Sequence, residues 1–200
     1  NVAVIGAGTM GAGIAQVWAQ AGWHTNLYDA FPEGLERGMN AIDSFWDKGI
    51  SRGKTTIAEK QEWSANLHAV SDMKEAVKDA DLVIEAVPEI PDLKHKIFAD
   101  LGLMTKENCI LGTNTSSLSI ADIAAASGRP GKVIGMHFFN PVPIMKLLEL
   151  VKHDSCSEST IEAATAAGEA MGKQQSLSKT YLALQHLGLE SFLATKQSVC

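Results

Sequence analysis

Residues 1–22 read NVAVIGAGTMGAGIAQVWAQAG: a short strand of buried type, a glycine turn, and then helical apolar spacing that ends at Gly22. Gly6, Gly8 and Gly11 set a GxGxxG spacing at the strand-to-helix junction. The spacing alone is a weak signal, because glycine-rich turns are common and can serve packing only. Its context makes it specific. A second strand, HTNLYDA, follows the helix and closes on Asp29, within the window where a dinucleotide-binding unit places an acidic side chain. Gly6 suits the tight turn, Gly8 lets backbone approach a pyrophosphate, and Gly11 lets helix and strand pack closely. Thr9 and Met10 lie in the first helical turn, at the positive helix end where phosphate oxygens would meet backbone amides. Asp29 would accept hydrogen bonds from the adenosine ribose and repel a 2′-phosphate, so NAD is expected over NADP.

Working outward, helical spacing runs from Pro32 to about Lys48, with Met39, Ile42, Phe45 and Trp46 in phase, and a polar helix continues through Glu62. NLHAV is a weak third strand and DLVIEAV a strong fourth; Pro91–Leu103 is a helix. CILGTNTS is a fifth strand and loop, Ile120–Ala126 a short helix, KVIGMHFF a sixth strand, and IMKLLELV a seventh, antiparallel and at the sheet edge. Ser157–Met171 is an Ala-rich helix. Strands alternating with helices imply βαβ units. The expected fold is α/β: a Rossmann-type, doubly wound, mostly parallel sheet with helices on both faces, over residues 1–174.

Two hundred residues suffice for one domain with a sizeable core. A 46% hydrophobic share beside 20% charged residues describes a soluble globular chain. The net charge of -6 argues against nucleic acid or an anionic membrane as partner, and no apolar run approaches the roughly 20 residues of a membrane span. Cys109, Cys156 and Cys200 are too scattered for a disulfide framework or a zinc site, so no metal is expected and the compartment should be reducing. Cytoplasm, or a mitochondrial or peroxisomal matrix, meets that condition. The chain opens on Asn1 in a strand, so preceding residues or a targeting segment are expected to be missing.

Ligands of an open α/β sheet bind beyond the carboxyl ends of its strands. Glu85 and Glu89 follow the fourth strand, Asn114 to Ser117 the fifth, and His137 to Asn140 the sixth. His137 stands twelve positions before Glu149, a carboxylate inside an apolar run. A histidine titrates near neutral pH, and a carboxylate within reach fixes its tautomer and stabilises the imidazolium. The pair reads either as a proton handler or as a core histidine with an unrelated strand glutamate; convergence of three strand ends favours the first.

GAGTMGAGIAQ, the DLVIEAVPE strand end, the TNTSSL loop and HFFNPVPIMKLLELV together resemble the NAD-binding domain of L-3-hydroxyacyl-CoA dehydrogenases, in order, to about Gln174. The resemblance implies reversible oxidation of a (3S)-3-hydroxyacyl-CoA thioester to the 3-ketoacyl-CoA, in fatty-acid β-oxidation or butanoate metabolism. It implies that His137 is the base, Glu149 its orienting carboxylate, Ser116 a hydrogen-bond donor to the substrate oxygen, and Asn140 a positioner of cofactor and substrate. Glu89, Lys94 and Asn114 would contact NAD, and the family's helical C-terminal domain would complete the acyl-CoA pocket and form a homodimer. Two other readings stay open: a non-catalytic dinucleotide-binding module, and a free 3-hydroxy acid dehydrogenase of the lambda-crystallin type.

After Gln174 the resemblance stops. Residues 175–200 read as an aberrant tail in place of the start of the helical domain. Back-translated and shifted by one nucleotide, Ser176–Leu189 permits VPVKDVPGFTTSRLG, so a frameshift or a splicing event is expected, with weak or absent turnover.

Overall fold

β1 (Val2–Ile5) is buried along its whole length, as a strand covered on both faces must be. The computed structural model describes residues 1–179. β1 lies between β2 (Thr25–Tyr28) and β4 (Leu82–Glu85), pairing parallel with both. The eight strands run in the order β3-β2-β1-β4-β5-β6-β7-β8, where β3 is Leu67–Ala69, β5 Ile110–Thr113, β6 Val133–Phe138, β7 Leu147–Val151 and β8 Gln174–Ser178. The order reverses at β1, which opens a crevice at the carboxyl ends of β1 and β4.

Strands β1 to β6 are parallel, and β7 and β8 run the other way, β7 antiparallel to β6 and β8 alongside β7. The expected direction of β7 is therefore observed, but its edge position is not. β8 pairs with β7 in parallel and takes the edge, so β7 is enclosed on both sides. The sequence of β8, QQSLS, carries no apolar strand signal. The sheet thus runs through Ser178, into the segment expected as an aberrant tail, while residues 180–200 of that tail lie outside the described residues.

Helices cover both faces. On one, α1 (Thr9–Gln20) and α7 (Glu158–Ala170) bring Ile14, Trp18, Ile161 and Ala164 against Ile134, Met136, Phe138, Leu148 and Leu150. On the other, α5 (Pro91–Met104) and α6 (Ile120–Ala126) bring Phe98, Leu101, Ile123 and Ala124 against Val83, Leu111, Val133 and Val151. Burying each large side chain contributes on the order of 1.5–3 kcal/mol. α2 (Pro32–Ser51) buries Leu35, Gly38, Ile42 and Trp46, while Phe45 turns partly outward. α3 (Ile57–Asn66) starts with a capping box in which Thr56 and Glu59 satisfy each other's backbone amides. α4 (Met73–Val77), absent from the sequence expectations, is too short to show periodicity; Asp72 caps it by accepting from the Glu75 amide at 2.8 Å.

Candidate active site

At the end of β1 the chain turns through Gly6, whose φ is +99°, and enters α1 with Gly8 as its N-cap. The positive φ is a conformation that side chains disfavour. A Cβ on Gly11 would lie 1.7 Å from the Gly6 carbonyl oxygen, so the third glycine is fixed by close packing of helix on turn. Gly8 is the opposite case: a Cβ there would meet nothing within 4 Å. Its neighbourhood is open, and no side chain caps α1, which leaves the helix start to a ligand's oxygens.

That opening belongs to a cleft of 1120 Å³ lined by Gly6, Gly8, Thr9, Met10, Asp29 and Asn140, among others. Its size sits at the upper end for small-molecule sites, as a dinucleotide requires. Asp29, just beyond β2, accepts from the Ala7 amide at 2.7 Å through Oδ2 and from the Phe31 amide at 2.9 Å through Oδ1. A carboxylate has acceptor capacity for about four hydrogen bonds, so these two pin Asp29 while leaving capacity for ribose hydroxyls.

β6 and β7 build the second part. Their antiparallel register sets His137 directly opposite Glu149, and Nδ1 lies 3.0 Å from Glu149 Oε2. The histidine side chain is 14% exposed and the carboxylate 2%. Glu149 lies on the penultimate strand, flanked by β6 on one side and β8 on the other. With Nδ1 facing the carboxylate, the tautomer with its proton on Nδ1 is favoured and Nε2 carries the basic lone pair.

The ends of β4 and β5 supply the third part. Asn114 accepts from the Phe138 amide at 2.9 Å through Oδ1, tying the loop after β5 to the end of β6. Glu89 holds the next residues: Oε1 accepts from the Thr115 hydroxyl, from the Ser116 amide at 2.9 Å and from the Ser117 amide at 3.3 Å. Burial pushes the Glu89 carboxyl up, but the Thr115 hydroxyl, the Ser116 amide and Lys94 outweigh it and leave it below the ordinary glutamate range. Lys94 is fully buried, its ammonium 2.6 Å from Glu85 Oε1. Burial drives the Glu85 carboxyl above its ordinary value against the pull of Lys94, Thr113 and Val87.

The expected residues therefore divide. Gly6, Gly8, Thr9, Met10, Asn140 and Asp29 share the cleft; Gly11 packs behind it. His137 and Glu149 are in contact. Asn114 and Ser116 follow β5, one strand from His137, and Ser116 is exposed. Glu89 and Lys94, expected as NAD contacts, belong to a charge network that is not part of the cleft wall. The sequence reading placed Glu85 at a strand end without giving it a role, and it missed Thr113, whose hydroxyl donates to Glu85. Among the described residues no cluster of three or more His, Cys, Asp or Glu side chains could hold a metal, and no helix is long and apolar enough to cross a membrane.

Residues 1–179 match the family model described as 3-hydroxyacyl-CoA dehydrogenase, NAD binding domain. The chain belongs to the 3-hydroxyacyl-CoA dehydrogenase family. It is 42% identical over 170 residues to a probable 3-hydroxybutyryl-CoA dehydrogenase of Deinococcus radiodurans, which covers 85% of this chain and 60% of the relative. It is 41% identical to a probable 3-hydroxybutyryl-CoA dehydrogenase of Bacillus subtilis, over 86% of this chain and 60% of that one. The crystal structure of (S)-3-hydroxybutyryl-CoA dehydrogenase from Ralstonia eutropha matches with a TM-score of 0.91 at 34% identity, covering all of this chain and 72% of the other. The chain spans about 60% of the length of these curated relatives.

Proposed function

We propose that the chain is the cofactor-binding part of an enzyme that reversibly oxidises a (3S)-3-hydroxyacyl-CoA to the 3-ketoacyl-CoA, with NAD as cofactor. The observation that carries this reading is the cross-strand contact of His137 with a buried carboxylate, one strand from the Ser116 loop. The cradle at Gly8 and the pinned Asp29 fit a dinucleotide, and Asp29 would select NAD by accepting from the ribose hydroxyls. When bound, NAD accepts the hydride that leaves the substrate's C3.

His137 takes the 3-hydroxyl proton on Nε2, and Glu149 keeps the ring oriented and stabilises the imidazolium that results. Ser116 donates a hydrogen bond to the oxygen on which charge develops. Asn140, on the cleft wall just after β6, orients substrate and cofactor beside the imidazole.

The test is NADH formation by the purified chain with short and medium (3S)-3-hydroxyacyl-CoA substrates and with free 3-hydroxybutyrate. Turnover of the thioester that disappears in His137→Gln supports the reading. Turnover of the free acid alone overturns it in favour of the lambda-crystallin type. Because this chain spans about 60% of its relatives, NADH binding without turnover points to a binding module only if the chain joined to a relative's remaining C-terminal part also turns over neither substrate.

A further inference from the structure

Glu85, Lys94 and Glu89 form one line of ion pairs and hydrogen bonds from the interior of the sheet to the loop that carries Ser116. Glu85 closes β4 with its side chain 0% exposed, accepting from Lys94 Nζ at 2.6 Å, from Thr113 Oγ1 at 2.7 Å and from the Val87 amide at 2.7 Å. Lys94, one turn into α5, is equally buried; it also donates to the Val87 carbonyl at 3.4 Å and lies 3.4 Å from Glu89 Oε2. Glu89 spends its other oxygen on Thr115, Ser116 and Ser117. None of the three lines the cofactor cleft.

A buried ion pair is a poor way to stabilise a fold, because desolvation offsets most of the attraction and an apolar replacement of equal volume often does as well. What such a pair supplies is placement. Glu89 is partly exposed, and without an anchor its side chain would sample several rotamers and release the loop amides. Lys94 is that anchor, and Lys94 is itself held by Glu85.

We infer that Glu85 is a positioning residue: acting through Lys94 and Glu89, it fixes the backbone of Thr115–Ser117 and so sets where the Ser116 hydroxyl stands. The consequence for catalysis rests on the role of Ser116 proposed above. The loop-holding itself does not, and the two are separable by experiment.

The experiment is hydrogen–deuterium exchange by mass spectrometry on the 200-residue chain, comparing wild type with Glu85→Gln, Glu89→Gln and the double variant. In Glu85→Gln the amides of 115–118 should exchange about 10-fold faster while β1 and β6 keep their rates, the mark of local rather than global opening. Glu89→Gln should reproduce this, and the double variant should add little to either, because both act on one line. Unchanged loop exchange in Glu85→Gln overturns the inference, as does acceleration of every segment together, which is what a purely structural role would give. Should Glu85→Gln fail to fold, Thr113→Val removes one contact to Glu85 and should loosen the same loop selectively; unaltered exchange there overturns the inference equally. With a 3-hydroxyacyl-CoA substrate, Glu85→Gln should lower kcat about 10-fold at an unchanged KM for NAD. The exchange data decide whether Glu85 holds the loop whether or not the wild-type chain turns over the substrate.

Discussion

His137 and Glu149 occupy directly opposed positions on antiparallel neighbours, with Nδ1 of one 3.0 Å from Oε2 of the other. The carboxylate reaches the ring by strand pairing, with each residue fixed in its own strand. Orientation of the imidazole is therefore built into the sheet.

Glu149→Gln keeps the shape and removes the charge. Turnover of a 3-hydroxyacyl-CoA should fall about 10²–10⁴-fold, because the amide no longer stabilises the imidazolium and can favour the wrong tautomer. NADH affinity, read by fluorescence titration, should stay within about 3-fold of wild type. A variant that loses NADH binding in proportion to turnover would show that Glu149 acts on the cofactor site instead.

Gly8 and Gly11 should respond in opposite ways to alanine. Gly8→Ala finds open space, so the thermal midpoint should move by less than about 2 °C while NADH binding weakens about 10-fold or more. In Gly11→Ala the Cβ would meet the Gly6 carbonyl, and overpacking of that kind costs about 1–3 kcal/mol, or roughly 2–10 °C. Calorimetry beside a binding titration separates the two.

Lys173 donates from Nζ to the Val142 carbonyl at 2.5 Å and the Met145 carbonyl at 2.6 Å, and burial holds its ammonium below the ordinary lysine range. Lys173→Met would strand two acceptors, costing about 1–3 kcal/mol in urea unfolding with an unchanged m-value. NADH affinity should drop as well, since Val142 and Pro143 are part of the cleft wall.

Burial raises the Cys109 thiol from an ordinary 9.0 to about 11. The folded chain therefore keeps its proton where the unfolded chain loses it, so this contribution is complete below pH 9.0 and fades as pH climbs toward 11. Wild type should lose about 1 kcal/mol more stability than Cys109→Val between pH 8 and pH 10. Parallel pH profiles for the two chains would show that the thiol does not titrate as described.

The glycine turn, Asp29 and the alternation of strand and helix were legible because each rests on local spacing. The pairing of His137 with Glu149 was legible only as a possibility, since its geometry depends on how the residues between them turn the chain. β8 was not legible: its polar QQSLS is recruited by the exposed side of β7 rather than by any apolar pattern of its own. The burial of Lys94 was not legible for a related reason. A lysine in an amphipathic helix reads as solvated, and only the buried Glu85, brought beside it by the β4-to-α5 turn, makes the interior tolerable for it.

The β6–β7 register has one more consequence, for fidelity of folding. Side chains alternate between the two faces of a strand, so a slip of one residue would turn Glu149 to the opposite face and bring Leu148 or Leu150 opposite His137. The same slip would pull both leucines, fully buried against Met136 and Phe138, out of the core. A misregistered hairpin is thus rejected by the core before it could yield a molecule with a cofactor cleft and no base, and chains that reach the native sheet carry the dyad already aligned.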